Sequence, residues 1–270
     1  MSRYAARFQS LAAERRGAFI PFTVLGFPDR ARCAEQLDAL ARHADALELG
    51  IPFSDPVADG PTIQRATATA LRDGATPAAC LALVAGVRDR HPDLPIGLLV
   101  YANLVLRPGI GRFYARAAEA GVDSVLVADV PSEEGEPFAA AARAAGVAPV
   151  FIAPPNAGGS ALDRIARLGE GYTYVLTRSG VTGAETAAGR PADEMLAALA
   201  QRRAPPSVLG FGISRPEHVR AALQAGAAGA ISGSAVVERL GGAGRSAGGL
   251  DEVEQWLDGM RSACVLPGSG

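Results

Sequence analysis

The sequence is poor in the residues that build disulfides and metal sites. Its three cysteines, Cys33, Cys80 and Cys264, stand far apart, and none belongs to a CxxC or Cys/His cluster. An odd number at such spacing argues against a disulfide framework and points to a reducing, cytoplasmic setting. The three histidines, His43, His91 and His218, are equally scattered. No spacing suits metal ligands, and no metal is expected. Long apolar runs are missing as well: the longest, near residues 78–87, is too short to span a bilayer. Charge of one sign is not in excess, with 26 basic against 28 acidic residues and a formal net charge of −2. No basic run marks a nucleic-acid or anionic-membrane surface, so neither is expected as a partner. No Gly-x-Gly-x-x-Gly follows the first apolar segment, which leaves a dinucleotide-binding sheet with little support.

What is present is a repeating pattern. Hydrophobic residues make up 49% of the 270, enough for a large core. Short apolar runs over residues 18–25, 46–49, 96–101, 124–128, 148–152, 172–176, 207–209 and 229–231 read as strands. Most are continuously apolar instead of alternating, as parallel strands buried on both faces are. Between them, residues 30–41, 77–90, 110–120, 134–145, 160–168, 191–201 and 216–225 carry apolar residues at helical spacing. Several of these end in Ala-Gly, at Gly121, Gly146 and Gly226, where glycine takes the left-handed cap cheaply. Strand and helix in alternation mean parallel βαβ units. Eight such units in a chain of this length predict an α/β fold, a single-domain (β/α)8 TIM barrel over residues 1–270; an open doubly wound sheet is the alternative. Arg3, Arg7, Arg15 and Arg16 raise the idea of a transit peptide. Tyr4, Phe8 and Leu11 at i, i+4, i+7 with Gly17 behind them favour an extra N-terminal amphipathic helix packed on the barrel. Residues 241–249 (GGAGRSAGG) read as a flexible loop before a last helix over 250–262.

In such barrels the chemistry stands at the C-terminal ends of the strands. Glu48 lies inside the apolar run Ala-Leu-Glu-Leu-Gly. A carboxylate there is costly unless paired, hydrogen-bonded or protonated, and burial raises its pKa toward the range useful for proton transfer. A structural pairing with a buried arginine or hydroxyl is the competing reading. The following Pro- and Gly-rich loop, residues 52–61 (PFSDPVADGP), offers Asp55 and Asp59, either of which can be catalytic or a turn cap. Gly210-Phe211-Gly212-Ile213-Ser214 after the seventh strand and Gly233-Ser234 after the eighth together suggest a phosphate site built from loop amides and a short helix N-terminus. Residues 178–185 (RSGVTGAE), after the sixth strand, suit either a lid that excludes water or an ordinary surface loop.

These segments resemble the tryptophan synthase alpha family. The matching stretches are residues 47–64 (LELGIPFSDPVADGPTIQ), 97–104 (GLLVYANL), 121–131 (GVDSVLVADVP), 172–185 (YTYVLTRSGVTGAE), 210–214 (GFGIS) and 226–235 (GAAGAISGSA). They run in the expected order over nearly the whole chain. The resemblance implies a lyase of L-tryptophan biosynthesis that cleaves indole-3-glycerol phosphate, by retro-aldol chemistry, to indole and glyceraldehyde 3-phosphate. It implies that Glu48 is the general acid–base, that Asp59 holds the indole N–H, and that Tyr174 supports the two carboxylates. It places Gly183, Gly212, Gly233 and Ser234 at the phosphate, and Phe22, Leu99, Leu126, Ala128, Ile152 and Phe211 around the indole ring. Arg178 and Thr182 become lid residues, with Thr182 reaching the Asp59 region on closure. Pro52, Asp55, Pro56, Asn103 and Pro131 would face a beta subunit in an alpha2beta2 assembly. The pyridoxal phosphate belongs to that partner, and no cofactor is expected in this chain. A lid and a partner acting on the same loops give a basis for allostery. Phe27, where the family commonly has an acidic residue, and the glycine-rich stretch at 241–249 are departures.

Three rivals use the same residues differently. A stand-alone lyase releasing free indole would carry the same site; the interface-like loop favours the synthase subunit. Another phosphate-binding barrel is opposed by Glu48 followed by the Asp59 loop. A non-catalytic activator of a beta subunit would need neither carboxylate.

Overall fold

The computed structural model describes residues 1–176, 192–210, 212–243 and 249–266. In chain order its elements are α1 (Arg3–Ala13), β1 (Ala18–Val24), α2 (Arg30–His43), β2 (Leu47–Gly50), α3 (Pro61–Arg72), α4 (Pro77–Arg90), β3 (Ile96–Val100), α5 (Ala102–Leu106), α6 (Ile110–Glu119) and β4 (Ser124–Val127). They continue with α7 (Glu136–Ala144), β5 (Ala148–Ala153), α8 (Gly159–Leu168), β6 (Thr173–Leu176), α9 (Ala192–Gln201), β7 (Ser207–Gly210), α10 (Pro216–Gln224), β8 (Gly229–Ser232), α11 (Ser234–Ala243) and α12 (Gly249–Ser262). The eight strands pair in sequence order, all parallel, and β8 pairs back onto β1 to close the barrel. The (β/α)8 expectation holds.

The apolar strands hide a two-residue alternation that sorts them into two cores. Leu47 and Leu49 of β2, Val125 of β4 and Val175 of β6 point outward into the cluster shared with the helices. Ile20 and Phe22 of β1, Leu126 of β4, Val150 of β5, Tyr174 of β6, Val208 of β7 and Ile231 of β8 point inward and fill the barrel. Because successive side chains on a strand face opposite ways, Glu48 between two outward leucines must point in.

The predicted N-terminal helix is α1. It closes the barrel's lower end: Tyr4 reaches Ser124 at the start of β4 (Oη to Oγ, 3.0 Å) and packs its ring on Tyr172. The chain ends are tied beside it by Gly17 N–H to Cys264 O (2.8 Å) and Leu266 N–H to Arg15 O (2.9 Å). Gly121, Gly146 and Gly226 take φ of 84°, 72° and 97°, as expected of helix-ending glycines.

Some expectations need correction. Residues 61–72 form a full helix, α3, that the pattern reading passed over. Pro61 starts it, and Ile63, Ala66, Thr67 and Ala70 bury its inner face. Apart from Ile63 that face is made of small residues, so its periodicity is weak to the eye. The short α5 was also unanticipated. The glycine-rich stretch is not a loop throughout: α11 continues to Ala243 and α12 begins at Gly249. Among the described residues no single helix is long and apolar enough to cross a membrane.

Candidate active site

A cavity of about 450 Å³ opens at the C-terminal ends of the strands, within the roughly 300–1,000 Å³ usual for small-molecule sites. Glu48 lies in its wall with 1% of its surface exposed. The Tyr172 hydroxyl donates to Glu48 Oε1 at 2.5 Å. Burial pushes the Glu48 carboxyl up to about 7; the Tyr172 hydrogen bond pulls the other way, and the charge of Asp59 adds to the rise. A carboxyl balanced there can both give and take a proton near neutral pH.

Asp59 reaches the same cavity from the loop between β2 and α3. The Tyr101 hydroxyl donates to Asp59 Oδ2 at 2.9 Å and accepts the Ala58 N–H at 3.1 Å. The Gln64 side-chain amide holds the Asp59 carbonyl at 2.9 Å. Burial raises the Asp59 pKa, and the Tyr101 bond opposes it. Tyr174 lines the same cavity from β6; burial first, then Glu48 and Asp59, hold its phenol well above the usual range, so it stays neutral. Gly210 makes room for it, since a Cβ there would overlap the Tyr174 phenol. Gly50 does the same for Phe22, whose ring would lie 2.9 Å from an added Cβ.

The remaining wall is apolar: Phe22, Leu99, Ala128 and Ile152 of the expected ring pocket line it, joined by Ile63 and Leu176. Leu126, placed there by resemblance, is not in the lining; it is buried in the barrel core among Val150 and Val208. The loops after β7 and β8 add Gly212, Ser214, Gly233, Ser234 and Ala235 to the lining. Gly212 takes φ +76°, a turn that favours glycine. Ser232 Oγ donates to Ile213 O at 2.6 Å and ties the two loops together. Helix α11 starts directly at Ser234; the Val236 and Val237 N–H groups bond Gly233 O, and Ser234 and Ala235 border the cavity at the helix N-terminus, an end that favours anions.

Phe211, Arg178, Thr182 and Gly183 lie outside the described residues. Asp55, Asn103 and Pro131 are exposed and Pro56 half-buried near the cavity mouth. Pro52 is buried, so it shapes the loop and cannot itself be presented to a partner. Among the described residues, no group of three or more His, Cys, Asp or Glu side chains gathers as a metal would require. Tyr172 and Tyr101 were missed as site residues. Both stand in the matched stretches, but their carboxylate partners lie 124 and 42 residues away, and only the closed barrel shows the pairing.

Residues 8–264 match the family of tryptophan synthase alpha chains. The tryptophan synthase alpha chain of Shewanella oneidensis is 59% identical over 238 residues, covering 88% of this chain and 86% of that one. The structure of Mycobacterium tuberculosis tryptophan synthase superposes with a TM-score of 0.87 at 29% identity, covering 98% and 99%. A chain of the tryptophan synthase complex from Pyrococcus furiosus gives 0.81 at 33% identity, covering 92% and 99%.

Proposed function

The chain belongs to the tryptophan synthase alpha chain family, and from that premise we propose how its own residues perform the reaction. It is a lyase that cleaves indole-3-glycerol phosphate to indole and glyceraldehyde 3-phosphate. The observation that carries the residue assignment is that Glu48 and Asp59 line one largely apolar cavity together with Gly212, Gly233 and Ser234.

Glu48, protonated in part near neutral pH, gives its proton to indole C3. The positive charge this places on the ring nitrogen is met by Asp59 at the N–H. The Glu48 carboxylate then takes the proton of the hydroxyl on the adjoining side-chain carbon. The C–C bond breaks, its electrons return to the ring, and the carbon becomes an aldehyde. Glu48 ends as it began, so the reaction balances with no other reactant. Placed acid–base groups contribute about 10²–10⁴-fold, and fixed charge at the developing cation adds to it. Phe22, Leu99, Ala128 and Ile152 exclude water from the ring; Gly212, Gly233 and Ser234 hold the phosphate.

The chain contains no lysine, the residue that holds pyridoxal phosphate as a Schiff base; that cofactor belongs to the beta partner. Asp55, Pro56, Asn103 and Pro131 form the docking face for this partner in an alpha2beta2 assembly. Val57 and Leu106, 74% and 50% exposed, are large apolar residues on neighbouring segments. In the same reading residues 1–270 are one cytoplasmic barrel domain.

Aldehyde formation from indole-3-glycerol phosphate and from its dephosphorylated counterpart tests the site. Cleavage should be one-to-one with indole and far slower without the phosphate. Equal rates on both compounds would remove the anion cradle from the account.

A further inference from the structure

Asp59 can meet the indole N–H only if something aims its carboxylate. Asp59 sits on a connecting loop, where backbone position alone fixes a side chain poorly. Its carbonyl is held by Gln64 and its N–H by Pro56 O, but these restrain the main chain only. The side chain has one protein donor among the described residues, the Tyr101 hydroxyl at 2.9 Å.

That hydroxyl can act in only one sense. It lies 3.1 Å from the Ala58 N–H. An amide N–H donates and never accepts, so the phenol oxygen receives that bond and its single proton goes to Asp59 Oδ2. The ring cannot swing to relieve this. Tyr101 is 3% exposed, stacks on Phe53 at 5.3 Å between centroids, and stands at the junction of β3 and α5. One phenol thus joins the rigid barrel to two successive residues of the loop, gripping the main chain at Ala58 and the carboxylate at Asp59.

We propose that Tyr101 is the positioning residue of Asp59, occupying Oδ2 so that Oδ1 stays turned to the ring nitrogen of the substrate. The assignment rests on the reading of Asp59 as the anchor of the indole N–H. It makes Tyr101 a determinant of selectivity for substrates that present an N–H at this point, without touching the reacting atoms.

The test uses Tyr101→Phe, which keeps the ring and its stack and removes one oxygen. The probes are 3-(indol-3-yl)propyl phosphate, which lacks the cleavable hydroxyls, and its N-methyl derivative, which lacks the N–H. Calorimetric titration of the wild-type chain should show tighter binding of the N–H compound by about tenfold, the worth of one hydrogen bond to a charged group. In Tyr101→Phe this preference should shrink severalfold, the N-methyl compound should bind as before, and kcat should fall more than KM rises. A general loosening of the fold would weaken both probes alike and would overturn the assignment, as would an N–H preference and kcat equal to wild type. Equal binding of both probes by the wild type would instead overturn the anchor role of Asp59, and the assignment with it.

Discussion

At the scale of single residues, the site depends on a carboxylic acid held where water would not leave it. The Glu48 pKa is raised from the usual 4.5 to about 7, so the folded chain binds this proton more tightly than the unfolded one. The associated stability is complete below pH 4.5 and is lost as pH rises through about 7. Ionised Glu48 therefore costs the fold about 3 kcal/mol at pH 8 and above. The neutral Glu48→Gln should melt at a higher temperature than wild type at pH 8 and at the same temperature at pH 4. Equal melting at pH 8 would mean the carboxyl is not desolvated. Tyr172→Phe removes the donor that lowers the Glu48 pKa. Carboxyl ¹³C titration of that variant should place Glu48 above its wild-type value, and a downward move would contradict the structure. Glu48 was legible in the sequence because a lone acid in an apolar strand has few harmless explanations. Asp59 was one of two choices, and the loop pattern could not separate it from Asp55. The phenols that tune them were not legible, since a hydroxyl's partner is decided by strand order around the barrel.

At the scale of elements, all eight strands were legible, with ends displaced by one residue, because continuous apolar runs between glycine-capped helices have few other meanings. Their inward and outward faces were not, since both faces are apolar. The glycines carry this missing information. Gly210 lies where a side chain would strike the Tyr174 phenol. Gly210→Ala should overpack the site at a cost of about 1–3 kcal/mol, with cleavage lost while far-UV circular dichroism stays unchanged; full activity would show that the phenol is free to move. The two departures from the family also prove to be neighbours. The Phe27 ring lies 3.0 Å from where a Cβ on Gly241 would stand, so the bulky residue is accommodated by the glycine inside α11. Helix α3 escaped notice because its buried face is mostly alanine and threonine, which bury little area per turn. Its position matters to the site nonetheless, since it starts at Pro61, two residues after Asp59.

At the scale of the whole molecule, the barrel is sealed below and open above. Helix α1 plugs the lower end through Tyr4, and the chain ends are stitched beside it. Asp45, with no exposed surface, joins this stitching: it accepts the Phe19 N–H at 3.0 Å and lies 3.4 Å from Arg16. Arg16→Ala would leave that carboxylate buried without its nearer cation, so unfolding stability should drop by about 3 kcal/mol. KM and kcat should hold, because the change is at the far end from the cavity; altered kinetics in the folded variant would show that the lower end reaches the site. In the proposed reaction the upper cavity cleaves indole-3-glycerol phosphate with Glu48 moving the protons and Asp59 holding the charge. Indole release by the isolated chain, by Glu48→Gln and by Asp59→Asn, each with and without a tryptophan synthase beta subunit, tests it most directly. Slow release should rise with the subunit and fall at least about a hundredfold in both variants; release undiminished in either variant, or none from the wild type under both conditions, would overturn these roles.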